Sequence, residues 1–186
     1  VFTGKVEVGQ NIRTSLAQIV AEELRVPINF IELIMGDTSL TPYDRGTFGS
    51  LTTPTMSPQL RKAAATLREV LTEVAAGIWK APATSLTVEG GKVNHPTSGK
   101  SLLYGELTKG KKILKPVNDK VALTPADKWK VAGKSIPKIN GRDFITGKHK
   151  YTSDLTLPGL MYGTVVRGPS QKATLISADT TRARSI

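Results

Sequence analysis

A polar stretch of about twenty residues, Gly36 to Thr55 (GDTSLTPYDRGTFGSLTTPT), separates an apolar strand-like run (Phe30, Ile31, Leu33, Ile34) from a long helical pattern. Segments of this length without periodicity are uncommon inside a compact domain, where they serve as binding loops or remain disordered. This one ends in a dense set of small donors, Thr47, Gly49, Ser50, Thr52 and Thr53, placed just before a helix start. Hydroxyls and free backbone N–H groups at a helix N-terminus suit an anion, a phosphate above all. The stretch therefore predicts a cradle for a phosphorylated ligand. The plain alternative is a flexible surface loop with ordinary turn glycines, because a lone glycine-rich loop is a weak signal.

The flanking pattern supplies a scaffold. The opening VFTGKVEV alternates in strand-like rhythm and is broken by Gly9-Gln10-Asn11. Ile12, Leu16, Ile19, Val20 and Leu24 then recur at helical steps up to Arg25, leaving Gln18, Glu22 and Glu23 on the wetter side. Pro27 stops that helix, and Asn29 to Met35 is expected to be a second strand. A second helix is expected from Ser57 or Pro58 to Ile78, with Leu60, Ala64, Leu67, Leu71 and Val74 as its apolar stripe. Arg61, Lys62, Arg68, Glu69 and Glu73 fall mostly off that stripe. Leu86 to Asn94 predicts a hairpin around Gly90-Gly91, and Ser101 to Leu107 a short helix. From Gly110 to Gly147 a Lys-rich stretch punctuated by Pro116, Pro125 and Pro137 predicts a linker that follows a surface. A second unit follows, with strands expected over Leu160–Val166 and Ala173–Ala178.

Composition narrows the chemistry. No cysteine is present, so thiolate nucleophiles, disulfides and iron–sulfur ligation are excluded within this sequence. His95 and His149 stand far apart with no metal-ligand spacing around them. No run of eighteen apolar residues occurs. The net charge of +11 is unevenly placed: residues 1–90 carry 8 Lys+Arg against 9 Asp+Glu, whereas residues 91–186 carry 18 against 6. That basic half admits a nucleic-acid- or partner-binding module as an alternative function. However, its lysines lack interleaved aromatics and any groove-entering helix, which fits a docking face better.

Two strand-to-helix turns converge on the cradle. Gly9-Gln10-Asn11 opens the first helix, and Gly46-Thr47-Phe48-Gly49-Ser50 approaches the second. Both can offer backbone donors, and the amides of Gln10 and Asn11 each supply donor and acceptor to a heterocycle's edge.

The string GKVEVGQNIRTSLAQIVAEEL, followed by MGDTSLTPYDRGTFGSLTTPTMSPQLRKAA, resembles the molybdopterin-binding part of the large subunit of xanthine dehydrogenase/aldehyde oxidase enzymes. The similarity is nearest to the bacterial isoquinoline 1-oxidoreductase and nicotinate dehydrogenase type. The tail GRDFITGKHKYTSDLTLPGLMYGTVVRGP resembles the start of that family's hammerhead domain, here following a cofactor-domain segment as in the isoquinoline branch. The resemblance implies an α+β fold: residues 1–109 as part of the molybdopterin-binding domain, 110–147 as linker and 148–186 as the beginning of the hammerhead. It implies cofactor contacts from Gln10, which matches the glutamine of the family's GQG motif, and from Thr47, Phe48, Gly49, Ser50 and Thr52, which match the loop around the phosphates. Asn11 stands where the second glycine is usual.

The same resemblance implies a molybdenum–molybdopterin cofactor in cytosine dinucleotide form, and iron–sulfur clusters on a small 2Fe–2S partner subunit. The reaction would oxidise an aldehyde or N-heterocycle with water as oxygen source, and a cytochrome c is a possible acceptor. The catalytic glutamate would lie in a later part of the polypeptide, so no residue here is assigned to catalysis and none to a metal, and the sequence is expected to be an inactive N-terminal piece. A twin-arginine-exported, periplasmic enzyme is favoured over a cytoplasmic one.

Overall fold

In the computed structural model, which describes residues 1–185, the chain forms two compact units, Val1–His149 and Lys150–Ile186. The first opens on β1 (Phe2–Thr3), which pairs in parallel with β2 (Ile34–Met35) in the register Phe2↔Ile34 and Thr3↔Met35. Between them lies α1 (Ile12–Leu24). The expected strands are thus formed only over two residues each, and a single-turn 3₁₀ helix at Ile28–Phe30 takes up the first two residues of the second. The end of α1 is set by Arg25 in the left-handed region (φ 54°), with the Val26 N–H reaching back to the Ala21 carbonyl and the Arg25 N–H to that of Glu22. These are the two bonds of a Schellman turn, and Pro27 prevents continuation.

The second helix, α2 (Thr52–Trp79), starts five residues or more before the position expected from Pro58. Thr52, Thr53 and Pro54 form its first turn, where a missing proline N–H costs nothing. Pro58 instead lies inside the helix and on its exposed side, so the carbonyl that it leaves without a ladder donor is open to water. At about 1.5 Å per residue, α2 is a rod of roughly 42 Å joining two cores. Its first half, through Met56 and Leu60, covers Ile12, Leu16, Ala17 and Leu33. Its second half contributes Leu71 and Ala75 to a cluster with Leu86, Val88, Val93 and Leu107. Leu67, expected in the apolar stripe, is instead exposed, and the buried face turns through Ala64, Ala65, Arg68, Leu71 and Ala75.

That second cluster is backed by a three-stranded antiparallel sheet, β3 (Thr87–Glu89), β4 (Lys92–His95) and β5 (Lys100–Leu103), followed by α3 (Tyr104–Thr108). The hairpin around Gly90-Gly91 is as expected. The short helix foreseen at Ser101 begins three residues later, since Ser101–Leu103 pair with β4. Tyr104 donates its hydroxyl to the Leu24 carbonyl at 2.9 Å, and burial pushes its pKa up to about 12.

The Lys- and Pro-rich stretch after α3 follows the surface of α1 and α2 and is bonded to both. Glu22 and Glu23, expected on the wet side of α1, are buried by it. Glu22 accepts the backbone N–H groups of Lys130, Val131 and Ala132 at 2.9, 2.6 and 3.0 Å. Glu23 accepts from the Thr124 N–H and hydroxyl and pairs with Arg61 (2.8 Å) and Arg68 (3.2 Å). One and two turns back along the same face, Gln18 donates to the Val131 and Lys134 carbonyls and Thr14 accepts the Ile139 N–H. The strap thus runs from the C-terminal end of α1 to its N-terminal end, ending near a one-turn helix, α4 (Gly141–Ile145).

The second unit carries a 3₁₀ turn (Thr152–Asp154) and a one-turn helix, α5 (Thr181–Arg184), and its described residues are exposed. The strands expected over Leu160–Val166 and Ala173–Ala178 are not formed among the described residues. Their alternating apolar residues have no neighbouring strand to take up their N–H and C=O groups, which a stable strand requires.

Candidate functional site

The residues after β1 and the residues before α2 are held against each other. Gly4 lies flush on the loop: a Cβ there would sit 2.4 Å from the Asp44 Cβ and 2.5 Å from the Pro42 carbonyl. One residue on, buried Lys5 places its ammonium 2.8 Å from both the Asp44 carboxylate and the Gly46 carbonyl. The Val6 N–H donates to the Thr47 hydroxyl at 2.8 Å, and the Val6 carbonyl accepts from the Gln10 amide at 2.9 Å. A single residue's backbone therefore couples Gln10 to Thr47.

Gln10 closes a tight turn, since its amide oxygen also accepts the Val8 N–H at 2.7 Å. An amide can make four hydrogen bonds, so one N–H and one lone pair remain at this exposed side chain. Gly9 (φ 105°) and Asn11 (φ 69°) both take positive φ. Asparagine is among the few residues that tolerate this region, which explains how it stands where the resembling family has glycine.

The TFGS loop is the outer wall. Gly46 has φ 127°, and a Cβ there would meet the Phe48 ring at 2.7 Å. Phe48, Gly49 and Ser50 are exposed, Gly49 and Ser50 in the left-handed region, and the turn delivers the chain into α2 at Thr52, which is buried. No side chain caps α2. The N–H groups of Thr52 and Thr53 in its first turn are therefore left without a side-chain acceptor, next in sequence to Ser50, while Pro54 has none to offer. Asp37 and Asp44 shape the loop: Asp37 accepts the Ser39 and Leu40 N–H groups, and Asp44 those of Gly46 and Lys5. Burial pushes the Asp44 carboxyl up, but its bonds to Lys5 and Gly46 outweigh this and hold it below the usual carboxylate range. The Lys5 ammonium balances the Asp44 charge beside the loop.

Sequence reasoning missed Glu7. Its Oε1 accepts the N–H groups of Gly9 (2.8 Å) and Asn11 (3.0 Å), its Oε2 accepts that of Arg13 (3.1 Å), and Lys138 lies 3.6 Å away. Three of the donors at the start of α1, expected to face a ligand, are thus already bound within the chain. A carboxylate four residues before the helix-opening asparagine was the available signal.

The donor set at the start of α2, neutral hydroxyls and backbone N–H groups at an uncapped helix end, fits a phosphate. A hollow of about 680 Å³ elsewhere, lined by Arg25, Glu89, Lys128 and Lys130 among others, shares none of the candidate residues. Among the described residues no group of three or more His, Cys, Asp or Glu side chains could hold a metal ion, and no helix is long and apolar enough to cross a membrane.

Residues 1–157 match the molybdopterin cofactor-binding domain family. The chain belongs to that family. It is 36% identical over 168 residues, 90% of its length, to a nicotinate dehydrogenase subunit of Pseudomonas putida, of which it spans 14%. It is 27% identical, in an alignment of 203 positions that covers 88% of its length, to the isoquinoline 1-oxidoreductase beta subunit of Brevundimonas diminuta, of which it spans 26%. Among solved structures, reconstituted CO dehydrogenase from Oligotropha carboxidovorans superimposes with a TM-score of 0.50 at 28% identity, covering 56% of this chain and 13% of that one. Both turns of the candidate site fall within the residues that match the family.

Proposed function

We propose that this chain supplies part of the molybdopterin cradle in the molybdenum-binding subunit of an oxidoreductase acting on an aldehyde or N-heterocycle, with water as oxygen donor. The observation that carries this is the coupling of Gln10 to Thr47 through the Val6 backbone, beside the uncapped start of α2. In this reading the first turn of α2, with Gly49, Ser50 and Thr52, holds the cofactor's phosphates, Phe48 covers them, and Gln10 meets the pterin side with its remaining N–H and lone pair. Neutral donors bind a pyrophosphate without bringing a cation into the site. When bound, the cofactor supplies the two-electron oxidation, whereas these residues bind and orient it.

The finer features follow the relatives. The matching proteins of nicotinate dehydrogenase and isoquinoline 1-oxidoreductase are each named as one subunit of their enzyme, which supports an assembly with further subunits. A small 2Fe–2S subunit and an acceptor such as a cytochrome c follow from the sequence resemblance alone. Their names also favour an N-heterocyclic substrate. We extend the reading to a cytosine dinucleotide form of the cofactor, to a hammerhead domain beginning near residue 148 and to a periplasmic location, on the resemblance to the isoquinoline branch.

The test is molybdenum content in the full-length protein purified with its partner. Thr47→Val removes the hydroxyl that fastens the loop to Val6 and should weaken cofactor binding about tenfold, the equivalent of roughly one to two hydrogen bonds, and so lower the molybdenum retained per chain, while Thr47→Ser stays near wild type. Full occupancy in Thr47→Val would remove the loop from the cradle.

A further inference from the structure

Two helix N-termini border the candidate site, and they differ. That of α2 has no side-chain cap. That of α1 is filled: the Glu7 carboxylate receives the N–H groups of Gly9, Asn11 and Arg13. This is not a local capping residue, because α1 begins only at Ile12 and the position before it is Asn11, whose own side chain makes no cap bond. The carboxylate folds back over a turn in which two of the backbone positions, Gly9 and Asn11, have positive φ. Such a turn is costly to hold without a group that its N–H donors converge on.

The same turn carries Gln10. Its amide is fixed by Val6 and Val8, the residues on either side of Glu7 in the chain. Glu7 therefore points to the helix side of the turn while Gln10 closes the other, and one cannot shift without the other. A further element secures the arrangement: Lys138, at the end of the strap, donates to the Gly9 carbonyl at 3.1 Å and lies 3.6 Å from Glu7 Oε1.

We propose that Glu7 is a positioning residue, an internal anion that fills the N-terminus of α1 and holds the Val6–Asn11 turn in the form that presents the Gln10 amide. This proposal rests on the cofactor reading above. It adds a division of labour between the two turns. With α1 closed by Glu7, a ligand phosphate is taken at the start of α2, and the Gln10 turn is left to recognise a neutral hydrogen-bonding edge. A second anion placed on α1 would meet the Glu7 charge.

The test uses the full-length protein with its partner subunit, in Glu7→Gln, Gln10→Ala and the double variant. A glutamine at position 7 keeps the volume, but its NH₂ must face either the Arg13 N–H or the Gly9 and Asn11 pair, so at least one donor loses its acceptor. Two readouts are taken: molybdenum per chain, and hydrogen exchange of the peptide spanning residues 6–13. Glu7→Gln should raise exchange in that peptide and lower molybdenum about tenfold, as Gln10→Ala does, and the double variant should fall no further. Non-additivity of this kind marks two residues acting as one unit. Lys138→Met should reproduce the exchange change more weakly, which keeps the proposal testable if Glu7→Gln fails to fold. Full molybdenum in Glu7→Gln beside a depleted Gln10→Ala, or losses that multiply in the double variant, would overturn the role of Glu7 alone. Full molybdenum in Gln10→Ala would overturn the cofactor reading of that turn and the Glu7 role with it.

Discussion

Replacing Glu23 by glutamine should unfold the chain more readily than any single change on its surface. Glu23 has 0% of its area exposed, and its two oxygens take Arg61 at 2.8 Å, Arg68 at 3.2 Å, the Thr124 N–H at 3.1 Å and the Thr124 hydroxyl at 3.0 Å. Every one of these partners is a donor. An amide of the same shape turns one acceptor into a donor and removes the charge that balances Arg68, whose side chain is only 10% exposed. Arg68 would keep its bonds to the Glu23 and Ala122 carbonyls, and Arg61 its bond to the Thr124 carbonyl, so neither guanidinium is stranded completely. Breaking a buried ion pair from one side costs about 3–5 kcal/mol, and a donor left without acceptor about 1–3 kcal/mol. These terms overlap, so about 3–5 kcal/mol is expected for the whole change. Domains of this size are stable by about 5–15 kcal/mol. The assay is urea unfolding followed by circular dichroism, with a slope of about 2 kcal/mol/M placing the midpoint about 1.5–2.5 M lower. Arg68→Met should cost a similar amount, and the two together less than their sum. A Glu23→Gln midpoint within about 0.5 M of wild type would refute the network as the fastening between strap and helices.

Two other expectations concern acid and proline. Glu7 is buried, which pushes its carboxyl up, but the N–H groups of Arg13, Asn11 and Gly9 together with Lys138 outweigh this and hold it below the usual range. Asp44 is lowered in the same net direction. A carboxylate lowered on folding adds stability above its unfolded pKa and loses it as pH falls through the folded value. Hydrogen exchange over residues 6–13 and 44–47 should therefore quicken as pH drops below the ordinary carboxylate range, after correction for intrinsic exchange, and pH-independent protection there would contradict the assignment. Pro58→Ala restores a ladder donor inside α2 and should stabilise the chain by about 1–3 kcal/mol in the same urea assay, whereas a loss would mean that the proline is required for the course of the helix.

Where each feature could be read in the sequence follows from how local its cause is. The extent of α1 follows from apolar spacing and Pro27, and the Gly90-Gly91 hairpin from its turn residues, all within a few positions. The start of α2 is displaced because Ser57-Pro58 and Thr52-Thr53-Pro54 both look like helix openings, and only packing of Met56 against the first core selects the earlier one. Glu22 lies off the apolar stripe of α1, so periodicity assigns it to water, whereas Glu23, four residues after Ile19 and three after Val20, falls on the stripe itself and is assigned to water only by its charge. Their burial depends on donors supplied about a hundred residues later by Thr124 and Lys130 to Ala132. The candidate site divides the same way. Thr47 and Gln10 are legible as a donor-rich loop and a turn, and the filling of α1 by Glu7 has a local cause, its donors lying two to six residues away. Only the fastening of Thr47 to Val6, 41 residues apart, is a matter of three-dimensional return.

The most direct measurement is metal and nucleotide stoichiometry in the full-length protein isolated with its partner subunit. Molybdenum near one per chain, with CMP released on acid hydrolysis in equal amount, is the expected result. A matured, folded protein that contains no molybdenum would contradict the cofactor role and return the Gly46–Thr52 loop to a structural turn.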